Sequence, residues 1–402
     1  MRESFRTTAR KPGRKGLTVR FPPGLSSQCV TRYNAPMLRL NLASTIAVAF
    51  ALTACSGGAP GAPTVPTAYQ SVQSRPRTTE TAITEYPVPT GIKPRYITIG
   101  PGGIVWFGND VGSTTSREVL GRLHGGAIQM LSLPAATQNT FMGFATTWHD
   151  GVWAVAVDNS IDEGQDYLVR ANGVKAPALF PSSDDTQYWA LAAGPDGRLW
   201  NANCLEACGE FPQGAFLSSR NPDGSSGPNY RFSNYYNATG LAAGPDGNLY
   251  AAVRYAGPPG PHDSYVYKFS TSGTVLQQIL LPDGSNPEGI TAGADGKLWV
   301  TEPGTNQIAR VTTSGAVTQF SLPAANAQPQ QIAGGADGAL WFAEFGADAI
   351  GRITTNGTVT QYAIPTPNAQ PFGIASVTNC PGAHATLWFT EYGAGKIGKL
   401  HV

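Results

Sequence analysis

Charge is scarce in this 402-residue chain: only 13% of residues are Asp, Glu, Lys or Arg. So are histidine and cysteine, with five of each, and methionine, with four. No Ser-x-x-Lys, Gly-x-Ser-x-Gly, His-Glu-x-x-His or Gly-rich phosphate loop occurs, so hydrolysis by a triad or by zinc has no visible machinery. No sustained 3.6-residue apolar period runs through the last 320 or so residues, which excludes a helical bundle. The apolar run Leu40 to Leu52 is 13 residues long, too short to span a bilayer as a permanent helix.

That run belongs to a leader. "MLRLNLASTIAVAFALTACSGG" carries basic Arg39, then the apolar run, then Leu52-Thr53-Ala54-Cys55. This box resembles a bacterial lipoprotein signal, which implies a signal peptide over 37–54 and lipidation of Cys55. Residues 1–36, with eight Lys/Arg and one acid, read as an unstructured basic leader or an unused upstream start, Met37 being the alternative initiator. Residues 55–81, rich in Gly, Pro, Ser and Thr, read as a flexible tether from the lipidated Cys. The chain's formal net charge is +1, but residues 1–54 hold nine Lys/Arg and one Glu; without them, 18 bases face 25 acids. An acidic mature chain has no electrostatic basis for binding nucleic acid. The expected location is the cell envelope, on the outer membrane facing the periplasm if the cell is Gram-negative, otherwise secreted. Cys204 and Cys208, in "NCLEACGEF", are close enough to form a disulfide there.

Glycine (48) and proline (32) are abundant. Short apolar runs end again and again in Asp-Gly, Ser-Gly or Asn-Gly, which are hairpin turns. From residue 82 one unit recurs, marked by an aromatic after an apolar residue: Trp106, Trp153, Trp200, Tyr250, Trp299, Trp341 and Trp388, at spacings of 47, 47, 50, 49, 42 and 47. This period predicts an all-β, seven-bladed β-propeller of four-stranded blades over residues 82–402. The final copy stops one strand short, and "ITEYPVP" (83–89) matches "VTQFSLP" and "VTQYAIP". The ring is therefore expected to close by strand 83–89 pairing into the last blade.

Strand direction places two positions of each copy on one rim of the central channel. The first gives Arg95, Met142, Trp189, Gln330 and Phe372 as a ligand rim, with Glu288 among them. The second gives Glu302, Glu344 and Glu391, carboxylates that could hold Mg²⁺ or Ca²⁺, or could recur as a structural consensus of the repeat.

The unit "DGALWFAEFGADAIGRITTNGTVTQYAIPTPNAQPFGI" resembles the virginiamycin B lyase (streptogramin B lyase) family, most strongly over Pro287 to Val402. The resemblance implies a propeller and a Mg²⁺-assisted elimination that opens a cyclic depsipeptide at its ester. It also places a catalytic His base at Gln330, metal-binding Glu at Gln328 and Glu344, and a substrate-contacting His at Glu288. Of these only Glu344 keeps the family's residue, and Gln cannot take a proton at useful pH. The sequence thus predicts a lipid-anchored, monomeric propeller that binds a small ligand, glycan or protein at its rim. The alternatives are a Mg-dependent carbon-oxygen lyase with Glu288 as base, and a structural interaction platform.

Overall fold

The signature Asp-Gly-x-Leu-Trp is a turn and a clamp in one. In the computed structural model, Gly197, Gly247, Gly296 and Gly338 all lie in the left-handed region, with φ between 69° and 78°. The Asp before each glycine turns its carboxylate onto the landmark aromatic four residues from it. The indole N–H of Trp299 donates to Asp295 at 3.1 Å, that of Trp341 to Asp337 at 3.1 Å, and the Tyr250 hydroxyl donates to Asp246 at 2.9 Å. A buried indole N–H needs such an acceptor.

The structure describes residues 83–109, 118–132, 140–148, 151–158, 163–170, 186–205, 215–223, 225–233, 235–257, 263–377 and 385–402. These belong to one unit, Thr79–Val402. The expected leader, signal peptide and tether all lie outside them.

Every sheet is an antiparallel meander. Sheet five shows the plan: Ile290–Ala292 innermost, then Leu298–Glu302, Gln307–Val311 and, outermost, Val317–Ser321. The innermost strands neighbour one another in a circle that closes between Pro371–Ser376 and Pro94–Ile99. The last sheet is completed from the other end of the chain, Ile83–Pro87 pairing antiparallel with Lys396–His401.

The expected count of seven four-stranded blades is corrected to six. Six sheets have four strands, whereas the sheet of Thr140–Trp148, Gly151–Asp158 and Glu163–Arg170 has three among the described residues. The landmark aromatic marks only the second strand of a copy, so Trp153 counts a repeat without guaranteeing its outer strand. Outer strands carry no common signature, reading Val-Thr-Gln-aromatic in Val317–Ser321 and Val359–Ala363 but Ala-Ile-Gln-Met in Ala127–Ser132, and residues 171–185 lie outside the described ones.

The core lies between sheets. Trp106, Trp153, Trp200, Trp299 and Trp341 are essentially fully buried. Trp299 of sheet five packs with Leu340, Phe342 and Ile353 of sheet six, and Trp341 with Leu387 and Phe389 of the last sheet. Neighbouring strands match large to small residues. Phe107, Phe342 and Phe389 stand opposite Gly121, Gly351 and Gly398 in register, whereas the smaller Val300 faces Ala309. A Cβ on Gly351 would sit 2.1 Å from the Phe342 ring, which is why the third strand reads Ile-Gly-Arg beside Phe.

Candidate functional site

One rim of the channel is built by a repeated loop that ends in proline. Asn286, Gln328 and Gln370 each precede a proline and each adopt positive φ, 45° to 48°. This conformation is unfavourable for a residue with a side chain and must be held by its surroundings. The preceding sheet holds it. Asn306 accepts from the Gln328 N–H at 3.3 Å, and Asp348 from the Gln370 N–H at 2.9 Å. A glycine from the end of the second strand closes against the loop: Gly346 N–H donates to the Ala327 carbonyl at 2.9 Å and Gly393 N–H to that of Ala369 at 3.0 Å. A Cβ on Gly346 would lie 2.2 Å from the Asn326 oxygen.

Beside Leu249–Tyr255, Leu298–Glu302 and Pro329–Gly334 these loops line an open depression of about 470 Å³, whose lining includes Arg254, Tyr255, Asn286, Glu288, Gln328 and Gln330. Glu288 sits at its wall, 7% exposed, with Arg254 reaching it at 3.4 Å. Burial raises the Glu288 pKa, against the opposing pull of Arg254 and Arg95. The Gln330 side-chain amide donates to the Gln328 carbonyl at 3.1 Å. A second cavity of about 290 Å³ runs down the channel, lined by inner strands that include Tyr96, Thr239, Ile290, Ile332 and Ile374.

Across the mouth, the Arg95 guanidinium stacks 4.4 Å from the ring centroid of Phe372 and 5.2 Å from that of Tyr96. Of the expected rim residues, Glu288 and Gln330 line the first cavity, and Arg95 and Phe372 stack on each other. Met142 and Trp189 fall in Thr140–Trp148 and Thr186–Ala193, their side chains outside the description. Cys55 and Cys208 lie outside the described residues, so the lipidation and disulfide expectations fall there too; Cys204 is in Leu199–Leu205.

The three glutamates sit elsewhere. Glu302, Glu344 and Glu391 are fully buried at the ends of second strands. Each of the first two reaches outward to a glutamine on the outermost strand of its own sheet. Gln319 donates to Glu302 at 2.7 Å, and Gln361 donates to Glu344. A Cβ on Gly351 would lie 2.6 Å from Glu344 Oε1, so the glycine also makes room for the carboxyl. In the last sheet the strand-matched residue is Glu85, which pairs with Lys396 at 2.8 Å, and no donor reaches either oxygen of Glu391. Burial pushes all three carboxyls up to about 7; Glu85 adds to the effect at Glu391 by repulsion. Sequence reasoning missed the glutamine partners, although "VTQF" and "VTQY" display them.

Among the described residues no group of three or more His, Cys, Asp or Glu is gathered closely enough to hold a metal ion. The place of one expected ligand holds the neutral amide of Gln328, and Glu344 is turned to Gln361. The residues present do not fit a Mg²⁺ or Ca²⁺ centre at this rim.

Residues 181–402, more than half of the chain, match the model of the virginiamycin B lyase family. Comparison with curated proteins gave no match. Among solved structures, the selenomethionine form of virginiamycin B lyase from Staphylococcus aureus is 26% identical, with a TM-score of 0.63 over 80% of this chain and 100% of that one. A catalytically inactive form of the same enzyme, solved with quinupristin, is 25% identical, with a TM-score of 0.62 over the same shares. A streptogramin B lyase, at 23% identity and TM-score 0.62 over 79% of this chain and 97% of that one, shares the fold.

Proposed function

The chain belongs to the virginiamycin B lyase family, and on that premise we propose that it is a lipid-anchored propeller of the cell envelope that binds a small ligand at its rim and has lost the family's elimination. One observation carries the reading. Gln330 stands where the family resemblance puts the proton-abstracting His, and its amide is engaged with the Gln328 carbonyl. Elimination needs a base that titrates near the working pH, and an amide is none. The cavity beside it is of the size that small-molecule sites have, roughly 300 to 1,000 Å³. A fold retained without its catalytic set is a scaffold on which another site can stand.

Glu288 supports a second reading. It lines the same cavity, and burial raises its pKa above the ordinary carboxylate value. The two readings diverge when the full chain is incubated with quinupristin and Mg²⁺. The binding reading expects the depsipeptide to keep its chromatographic mobility and fragmentation pattern. Ring opening that disappears in Glu288→Gln would overturn it in favour of the lyase.

The anchor is tested separately. Cells expressing the chain and fed labelled palmitate are expected to incorporate label into it and to retain it in the membrane fraction. Cys55→Ser is expected to abolish the label and release the protein. Unchanged fractionation of that variant would remove the lipid from this account.

A further inference from the structure

The first cavity has an unusual lining. Small-molecule sites are lined mainly by apolar and aromatic groups, yet here three carboxamides, Asn286, Gln328 and Gln330, stand beside only Tyr255, Ala256 and Pro303 as apolar surface. The carboxamides also keep hydrogen-bonding capacity unspent. Gln328 gives one amide N–H to the Asn326 side-chain oxygen at 3.2 Å, and Gln330 gives one to the Gln328 carbonyl at 3.1 Å. Each bond steadies its amide and leaves the second N–H and the carbonyl oxygen. Among the described residues no donor reaches either oxygen, nothing engages the side chain of Asn286, and none of these atoms is shut away from solvent. Asn286 and Gln328 stand on backbone already held at φ 45° and 48°, so little ordering is left for a ligand to impose.

A carboxamide offers a donor and an acceptor next to each other, without charge. A trans peptide group cannot use both, because its own N–H and C=O point in opposite directions. Two adjacent hydroxyls can, since each both donates and accepts and turns freely about its C–O bond. Granted that this rim is the ligand site, we propose that the cavity takes a neutral carbohydrate, adjacent hydroxyls of a sugar ring pairing with the carboxamides of Gln328 and Gln330 and a further hydroxyl with Asn286. The scarcity of apolar lining fits a ligand that is hydroxylated all round.

Saturation-transfer NMR titration of the full chain would use the methyl glycosides of glucose, galactose and mannose, with N-acetylalanine N-methylamide, uracil and quinupristin as comparisons. At least one glycoside is expected to bind saturably and more tightly than the peptide group or uracil. Its deoxy analogues, each lacking one ring hydroxyl, include at least one that binds roughly fivefold more weakly, the loss of one hydrogen-bonded pair. Gln328→Met and Gln330→Met each weaken the sugar by a similar factor, and together they abolish its binding, with an unchanged thermal midpoint. The deoxy series reads the same contacts on the unaltered chain, so the test stands even where a variant fails to fold. A tetrasaccharide of the same sugar binding more tightly than the glycoside assigns a polysaccharide as the source, and equal binding assigns a free sugar. Undiminished sugar binding in the double variant, or binding of the peptide group, uracil or intact quinupristin in preference to every sugar, overturns the carbohydrate assignment while leaving the rim a ligand site. No saturable binding of any probe overturns both.

Discussion

Deleting Ile83–Pro87 is expected to lower the thermal midpoint by roughly 10 °C or more and to broaden the transition, because the strand's contribution is not local. It is the outermost strand of the last sheet, paired residue for residue with Lys396–Leu400. Tyr86 packs on Trp388 with ring centroids 5.6 Å apart. Glu85 receives Lys396 at 2.8 Å and the Thr366 hydroxyl at 2.7 Å, which ties the strand to the connection entering the sheet. Losing two half-buried apolar side chains at about half of the 1.5 to 3 kcal/mol that full burial is worth, with the ladder and this ion pair, gives a deficit on the order of 5 kcal/mol. For a domain of this size each kcal/mol moves the midpoint by about 2 °C or slightly more. A differential scan that shows the same midpoint with and without the strand would refute the closure argument.

The second large effect is a stability that falls as pH rises. Glu302, Glu344 and Glu391 have folded pKa values of about 7 against an ordinary 4.5, with burial as the leading cause in each. Below pH 4.5 the folded and unfolded chains both hold these protons, and the cost is nil. Between 4.5 and 7 the unfolded chain releases protons that the folded chain keeps, so unfolding becomes progressively easier. Above 7 the full penalty applies, up to on the order of 3 kcal/mol per group at 1.36 kcal/mol per pKa unit. Urea unfolding at pH 5 and pH 8 is therefore expected to give a lower midpoint at pH 8. Glu302→Gln, Glu344→Gln and Glu391→Gln together should shrink the difference to the part left by Glu288, whose pKa burial also raises. A midpoint that rises across this window would show that the carboxyls are ionised in the fold, held by charges or donors other than the ones described.

These residues also show what could be read from the sequence. The strands of sheet five, the Asp-Gly turns and the N-terminal closing strand were legible because each rests on a local pattern: alternation, a positive-φ glycine, or a copy of "VTQF" displaced to the other end. The number of complete blades was not legible, since the aromatic landmark belongs to the second strand and outer strands have only a weak signature. Glu302, Glu344 and Glu391 were placed on the correct strand ends. Their direction was hidden, because a strand-end side chain can turn toward the channel or across the third strand to the fourth. The residue that decides is opposite in the ladder: Gly351 leaves a passage for Glu344, and Gln361 waits at its far end. Arg254 and Glu288 meet from different sheets, 34 residues apart, and no motif announces the cavity between them.

The left-handed residues before the rim prolines separate the frame of each loop from its chemistry. Backbone groups, Asn306, Asp348 and the clamping glycines hold those loops. The glycine clamp itself is made by backbone atoms alone, so it does not depend on which side chains follow at Asn286, Gln328 and Gln370 or, two residues further on, at Glu288, Gln330 and Phe372. The rim thus works as a row of standard sockets, each presenting two exchangeable side chains from a backbone that is already fixed. A change of chemistry at such a rim needs only two substitutions in one socket, with the fold's own contacts left in place. That modularity lets this chain present Gln328 and Gln330 where the family resemblance puts an acid and a base.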